Sequence, residues 1–158
     1  MKEFMPVFAS IATGMATLTA VWLTQRGNKK IQKDLLEQQL IRDEIKEKRN
    51  ELKETLEIYN QVLKLNGEFT MVIQVGGPVI EFNLDTYQKE IRPIIYEKYH
   101  LLHDDVAKIV SQIDDLIKMC EFYEEVTRDD HRDFCEKYSK LISNIMKNIY
   151  DFRKGVSN

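Results

Sequence analysis

The sequence is short of the residues that interrupt helices and of those that form disulfide frameworks. Its 158 residues include only three prolines and six glycines, and this scarcity favours long helices over a many-turned β fold. The two cysteines, Cys120 and Cys135, are too few for a secreted disulfide scaffold, and each lies in a helix-like apolar pattern that predicts a buried thiol. The net charge of -3 provides no basic excess, so nucleic acid is not an expected partner.

The motifs that define common enzymes are also missing. No serine lies in a nucleophile-elbow sequence, and neither cysteine has a histidine at a recognised catalytic spacing. The Gly-Gly-Pro sequence at residues 76–78 is not a phosphate loop, because no Lys-Ser or Lys-Thr pair follows it. The chain is therefore predicted not to be an enzyme and to bind no cofactor.

Residues 1–27 predict a membrane anchor. No side chain in residues 4–25 is charged, and about 20 helical residues at roughly 1.5 Å each would span the roughly 30 Å of a bilayer core. Trp22 lies near one end of this segment, where an indole ring prefers the membrane interface. A cleaved signal peptide, a buried core helix and a surface-lying amphipathic helix are the alternatives. A signal peptide would need a more basic start, since Glu3 offsets Lys2.

Four basic residues follow the apolar segment and predict its orientation. This basic collar consists of Arg26, Lys29, Lys30 and Lys33. Because basic residues concentrate on the cytoplasmic side of membrane spans, the collar predicts a single-pass protein of the cell membrane with its N-terminus outside and its C-terminal body in the cytoplasm. The collar could also contact anionic lipid headgroups, although setting the topology is the simpler role.

Small residues recur at helical spacing within the apolar segment. Rows of small side chains let two helix backbones approach closely in lipid, so this pattern predicts self-association of the span. The predicted association face consists of Ser10, Ala12, Gly14, Ala16 and Ala20. The alternative is that alanine and threonine are simply common in spans of modest hydrophobicity.

Residues 28–66 predict a long, highly charged helix, called here the stalk. Steps of three and four residues give a heptad-like seam, whose members are Ile31, Leu35, Gln38, Arg42, Ile45, Arg49, Leu52, Leu56, Tyr59 and Leu63. Three polar members interrupt the seam, and Leu36, Leu40 and Ile41 supply a second apolar row where it fails. The stalk is therefore expected to pack against its own chain as well as, or instead of, a second copy.

Residues 67–85, a turn or hairpin, have two interpretations. Two apolar runs flank the Gly-Gly-Pro sequence at 76–78, and a β-hairpin would use that turn. Alternatively, the stalk helix continues through the first run and ends at the same turn, with Asn83 or Asp85 capping the next helix. The helical interpretation is favoured, because the long helix needs a stop and an isolated hairpin is only marginally stable.

Residues 86–158 are predicted to form a small antiparallel helical bundle that packs with the stalk. Apolar residues recur at helical steps over residues 86–126, where Pro93 kinks or restarts the helix near its beginning. Thr127 and Asp130 predict a capping box for a last helix. The predicted fold class is thus all-α, with one N-terminal transmembrane helix, a long coiled-coil-like helix and the bundle.

The histidines provide only a weak metal motif. Glu97 and His100 have the E-x-x-H spacing of carboxylate-bridged metal bundles, but the motif occurs once where such sites need two copies. His103 and His131 lie in acidic, polar stretches that are expected to be solvated. No metal site is therefore predicted. The many aromatic residues of the bundle are expected to fill its core or its rim, with a minority available as a binding surface.

These patterns lead to three hypotheses of function. The first is a non-enzymatic single-span membrane protein whose helical body serves as an interaction, scaffold or regulatory module, with membrane lipid and either itself or another protein as partners. The second is a small membrane-perturbing effector, toxin-like or lysis-related, that acts by oligomerisation of its span. The third is a membrane-tethered metal-binding helical bundle. In layout the chain resembles short single-span proteins of bacteria and their phages, without a diagnostic motif.

Overall fold

The structure, a computed structural model, describes the backbone of residues 5–76 and 79–155 and the side chains of residues 19–74, 76 and 80–155. The described part is mostly helical with one short two-stranded sheet, so the prediction of an all-α protein is confirmed in broad terms. The chain divides into two units, residues 1–49 and residues 50–158. They are called here the N-terminal unit and the body.

Helix α1 runs from Met5 to Glu68 and contributes to both units. It continues through Gly27 and Asn28, so the boundary predicted between anchor and stalk does not coincide with a helix end. A single glycine disfavours a helix by only about 1 kcal/mol relative to alanine, and the charged residues on either side are good helix formers. The helix ends two residues beyond the predicted end of the stalk at residue 66.

A β-hairpin follows, formed by β1 (Val72–Gly76) and β2 (Val79–Phe82), in which Val72 pairs with Phe82. The favoured helical interpretation of this segment was therefore wrong and the hairpin alternative was correct. The hairpin is stable because it is not isolated: the Phe82 ring stacks on Phe134, and the Phe82 N–H donates to His131 Nδ1 at 3.0 Å. Gly76 has a φ of 127°, which residues with a Cβ rarely adopt.

The single helix predicted over residues 86–126 is broken into several pieces. These are α2 (Leu84–Thr86), a π-helical turn (Tyr87–Ile91), α3 (Arg92–Glu97), a 3-10 turn (Tyr99–Leu101) and α4 (Asp104–Tyr123). Pro93 has no N–H to donate, and just before it the Arg92 N–H bonds Tyr87 O in the wider π pattern. Asn83, one of the two cap candidates in the sequence, caps α2 by accepting from the Thr86 N–H.

The last helix, α5 (Arg128–Lys154), has the predicted capping box. The Thr127 side chain accepts from the Asp130 N–H, and the Asp130 carboxylate accepts from the Thr127 N–H at 2.8 Å. Helix α5 packs against α4 and against β2. The predicted antiparallel arrangement thus has α4 and α5 as its principal helical pair.

The core lies within the body and is built mainly from residues 58–62 of α1, the π turn, α4 and α5. Tyr59, Tyr87 and Phe134 are among its largest fully buried side chains. Cys120 and Cys135 are free and buried, which confirms the prediction for both thiols. Burial raises the pKa of each thiol, so both are less reactive than exposed cysteines.

Candidate interaction surfaces

The N-terminal unit presents apolar side chains to solvent. Six of them are between 51% and 62% exposed: Ile31, Leu35, Leu36, Leu40, Ile41 and Ile45. At about 100° per residue, four of the six lie within about 120° of one another on the helix surface. These four, Ile31, Leu35, Ile41 and Ile45, are called here the exposed row. Leu36 and Leu40 lie on the opposite face of the helix.

The C-terminal half of the predicted seam is not available to a second copy. Tyr59 is fully buried, and Leu56 and Leu63 pack against the core of the body. This part of the stalk therefore packs against its own chain, which is one of the two arrangements expected from the sequence. The polar interruptions at Arg42 and Arg49 precede the point where the helix enters the body at Asn50.

The basic collar is exposed at all four positions: Arg26, Lys29, Lys30 and Lys33. The Arg26 guanidinium lies 4.9 Å from the centroid of the Trp22 ring, a cation–π contact. Val21, Trp22 and Leu23 are also exposed, so apolar surface directly precedes the collar. Among the described residues, none of the ion pairs uses a collar side chain.

The predicted association face falls mostly outside the described side chains. Of its five members, Ala20 is described and exposed, and its carbonyl accepts a hydrogen bond from the Thr24 hydroxyl at 2.8 Å. The side chains of Ser10, Ala12, Gly14 and Ala16 lie outside the described residues. In the described part of the chain, no helix has the length and hydrophobicity needed to cross a membrane.

The body exposes aromatic side chains where α4 meets α5. Phe122 is 78% exposed and Tyr123 is 70% exposed, and their rings meet edge to face at 5.2 Å. Together with the exposed Met119 and Val126 they form what is called here the aromatic tip. Sequence reasoning assigned most such aromatics to the core or its rim, although the acidic residues on both sides of this pair were a signal of exposure.

Three glutamates border the aromatic tip and form its acidic rim: Glu121, Glu124 and Glu125. All three are exposed, and no ion pair in the described part of the chain involves them. Glu124 ends α4 in the left-handed conformation with a φ of 53°, and it is the one described residue other than glycine with a positive φ. Helices usually place glycine at such a position.

A groove of about 230 Å3 lies on the body between α1 and the end of α5. Its lining residues are Asn60, Leu63, Met146, Ile149, Tyr150 and Arg153. Met146 and Tyr150 are each 58% exposed, so two large apolar side chains border open space. Lys154 Nζ lies 5.6 Å from the centroid of the Tyr150 ring. The groove is thus apolar within and basic at its rim.

A buried carboxylate joins α3 to α4. Asp114 is 5% exposed and accepts from Arg92 Nε at 2.9 Å, from Arg92 Nη2 at 3.4 Å and from the Tyr96 hydroxyl. Burial, followed by the hydrogen bond to Asp114 and its charge, raises the pKa of Tyr96 to about 12. Because the carboxylate is already bonded to a guanidinium and a phenol, the cluster is a structural tie and offers no free base for catalysis.

Two of the histidines hold elements of the body together. Tyr59 Oη lies 2.9 Å from His103 Nδ1 and accepts the His103 backbone N–H at 3.1 Å, while His131 Nδ1 accepts from β2. The expectation that His103 and His131 are solvated was therefore wrong, because each is half-buried and hydrogen-bonded. Among the described residues, no three histidine, cysteine, aspartate or glutamate side chains gather as metal ligands, and the spacing of Glu97 and His100 leads to no such cluster.

Comparisons with known proteins identify no relative. No family model matches the chain, no curated protein matches it, and no solved structure matches it. The exposed surfaces of the two units are therefore the basis for assigning a function.

Proposed function

We propose that this chain is a non-enzymatic, membrane-anchored interaction protein that self-associates through its N-terminal unit. The observation that carries the proposal is the exposed row, four large aliphatic side chains more than half exposed on one face of a helix. A helix of this kind is stabilised mainly by packing of an apolar face, because isolated helices are marginal in water. A second copy presenting the same row provides such a surface in the manner of a coiled coil.

The free energies of apolar burial and of association favour a weak pairing that membrane tethering strengthens. Full burial of an isoleucine or leucine contributes about 1.5–3 kcal/mol, and these side chains begin about half exposed. Two facing rows would therefore contribute on the order of 6–12 kcal/mol. Association costs about 4–15 kcal/mol in lost freedom of motion, so the row alone supports weak pairing. Confinement of both copies to one membrane raises their effective concentration and shifts the balance toward the pair.

The proposed anchor is the uncharged segment of residues 4–25, supported by its flanking chemistry. Trp22 with Arg26 over its ring suits the boundary between lipid tails and headgroups. The exposed collar, without acidic partners among the described residues, suits a negatively charged inner leaflet. In this arrangement the body lies in the cytoplasm and is available to other proteins.

The test of self-association compares two matched double variants of the full chain in detergent. Ile41→Gln with Ile45→Gln removes half of the exposed row, and Leu36→Gln with Leu40→Gln makes the same change on the opposite face. Sedimentation should show the dissociation constant rising at least about tenfold in the first variant and little in the second. Equal effects of the two variants, or a wild-type chain that stays monomeric at all concentrations, would contradict the proposal.

The test of the anchor is membrane partition under an alkaline carbonate wash. The full chain should remain in the membrane pellet, whereas a version that begins at Lys29 should appear in the supernatant, because it lacks the uncharged segment. Release of the full chain into the supernatant would overturn the anchor. Retention of the shortened version would assign membrane binding to the three remaining lysines of the collar or to the body.

A further inference from the structure

We propose that the aromatic tip of one body docks into the groove of a second copy of this chain, so that bodies associate head to tail. The contact joins two surfaces that the proposed function does not use, and it does not depend on pairing of the exposed row. The tip is the most exposed aromatic surface described on the body. The groove is an open apolar depression bordered by half-exposed Met146 and Tyr150.

Size and charge both match across this contact. A cavity of about 150 Å3 accommodates a benzene ring, and the groove measures about 230 Å3, enough for one aromatic side chain of the tip. The acidic rim brings three carboxylates, none of them in an ion pair among the described residues. The groove provides the opposite charge through Arg153 in its lining and through the neighbouring Lys147 and Lys154, which outnumber the acidic neighbour Asp151 on the same helix.

The backbone at the tip provides an independent reason to regard the rim as a binding surface. Glu124 occupies a left-handed helix end with a φ of 53°, whereas α5 ends in the same conformation with Gly155. The conformation completes the helix end, because the Glu124 N–H bonds Cys120 O and Glu121 O, but glycine would adopt it with less strain than a side chain with a Cβ. A carboxylate held at the apex despite this cost is expected where the charge itself serves a contact.

Within one chain the tip cannot reach the groove, so the contact as proposed joins two copies. Helix α5 runs without a break from its cap at Thr127 to beyond Tyr150, and 23 helical residues extend about 35 Å. The tip and the groove therefore lie near opposite ends of the same helix. A contact between unlike surfaces is heterologous, so repetition gives either a closed ring or an open chain of bodies.

The experiment uses disulfide cross-linking between two differently tagged full-length chains in detergent, one with Tyr123→Cys and one with Met146→Cys. Both positions are exposed, so neither change should disturb folding. The unmodified chain, whose two native thiols are buried, sets the background. Cross-linking of the mixed pair should exceed, several-fold, that of Tyr123→Cys mixed with Lys140→Cys, an exposed control position on α5.

Further cross-linking pairs and charge-reversal variants test whether the contact is head to tail. Equal cross-linking with the Lys140→Cys control, or stronger cross-linking of Tyr123→Cys with itself than with Met146→Cys, would overturn the head-to-tail contact. Reversing the rim with Glu121→Lys, Glu124→Lys and Glu125→Lys should reduce the mixed cross-link several-fold. Reversing the groove as well, with Lys147→Glu, Arg153→Glu and Lys154→Glu, should restore it. An unchanged cross-link after rim reversal would also overturn the proposal.

Failure of this contact is distinguishable from failure of the proposed function. The same cross-linking is repeated in chains that carry Ile41→Gln and Ile45→Gln, in which pairing through the exposed row is weakened. Persistence of the tip-to-groove cross-link there supports a direct contact between bodies. Its disappearance in that background alone would show that the exposed row had merely brought the bodies together, and would overturn the direct contact.

Discussion

The two units of this chain use the same kinds of aliphatic side chain in opposite ways. In the body, isoleucines such as Ile113 and Ile145 are fully buried against neighbouring helices. In the N-terminal unit, Ile31, Ile41 and Ile45 lie on a helix surface and are more than half exposed. The body therefore buries these apolar side chains within its own core. The N-terminal unit leaves its own exposed, which is why the proposed anchoring and self-association are located there.

The same division separates the natural optical probes. The single tryptophan, Trp22, lies in the N-terminal unit, whereas all seven tyrosines lie in the body. Tryptophan fluorescence therefore reports on the collar region, and near-ultraviolet circular dichroism of the tyrosines reports on body packing. The comparison between the two units can be tested within one molecule, with one signal for each.

The largest expected effect comes from one substitution made in both units. Ile145→Ala removes a fully buried side chain from the core and should lower the free energy of unfolding of the body by about 2–5 kcal/mol. Ile45→Ala removes a side chain that is 55% exposed and should change body stability by less than about 0.5 kcal/mol. Urea unfolding followed by the tyrosine signal measures both values.

The dependence on protein concentration further separates the role of the exposed isoleucine from that of the buried one. If the exposed row pairs with a second copy, Ile45→Ala should weaken self-association while leaving the body transition in place. A comparable loss of body stability from Ile45→Ala would show that the exposed row supports the body, and the contrast between the units would not hold.

A smaller effect is expected at the buried carboxylate of the body. Asp114→Asn removes the charge that Arg92 and Tyr96 share and should destabilise the body by about 1–3 kcal/mol. This loss of stability stays below that expected for breaking a fully buried ion pair, because Arg92 is partly exposed and can be hydrated. The neighbouring Asp115→Asn is the matched control. Its exposed pair with Lys118 should contribute less than about 1 kcal/mol, and an equal loss at both positions would contradict the buried-tie interpretation.

The same cluster predicts an alkaline limit to body stability. The pKa of Tyr96 is raised to about 12 in the folded chain, against an ordinary value of about 10 when unfolded. Its contribution is therefore fully present below about pH 10 and is lost as the pH rises toward 12. Burial also raises the pKa of Tyr59, Tyr87 and Tyr138, which adds to the loss over the alkaline range.

Phenolate absorbance measures this effect. Subtracting the titration of Tyr96→Phe isolates the Tyr96 transition, which Asp114→Asn should move toward lower pH, because the carboxylate no longer opposes ionisation. A Tyr96 transition that is already near pH 10 in the unmodified chain would contradict the hydrogen bond from Tyr96 to the buried Asp114 carboxylate.

Sequence patterns were sufficient where structure follows from local rules. The capping box at Thr127 and Asp130 and the buried thiols were predicted, because each depends on a few neighbouring residues. Asn83 was one of two cap candidates, and it belonged to the helical interpretation that the hairpin replaced. The hairpin at β1 and β2 was not the favoured prediction, because its stability depends on Phe82 packing against Phe134, 52 positions away. A local pattern contains no information about such a partner.

The candidate surfaces also differ in how far they could be predicted from local sequence patterns. Three members of the exposed row, Ile31, Leu35 and Ile45, belong to the predicted seam. Ile41 was assigned instead to the second apolar row with Leu36 and Leu40. The exposure of all four required knowledge of which half of the stalk packs in the body. The roles of His103 and His131 were missed because their partners, Tyr59 and the Phe82 N–H, are 44 and 49 positions distant. The aromatic tip was missed because its aromatics follow the same helical spacing as core residues, although the acidic residues on both sides indicated exposure.

The smallest expected effect is at the two left-handed helix ends of the body. At the tip this position is a glutamate, whereas at the end of α5 it is a glycine. Glu124→Gly should stabilise the body by about 0.5–1 kcal/mol, because glycine adopts a φ near 53° without strain and this gain exceeds its larger entropy in the unfolded chain. Gly155→Ala makes the reverse change at α5 and should destabilise by about 1 kcal/mol, because the added Cβ has open space around it but the φ of 70° is unfavourable. Thermal unfolding followed by the tyrosine signal measures both. A destabilising Glu124→Gly would mean that the glutamate contributes to the fold, and the argument that its charge serves a contact would lose its support.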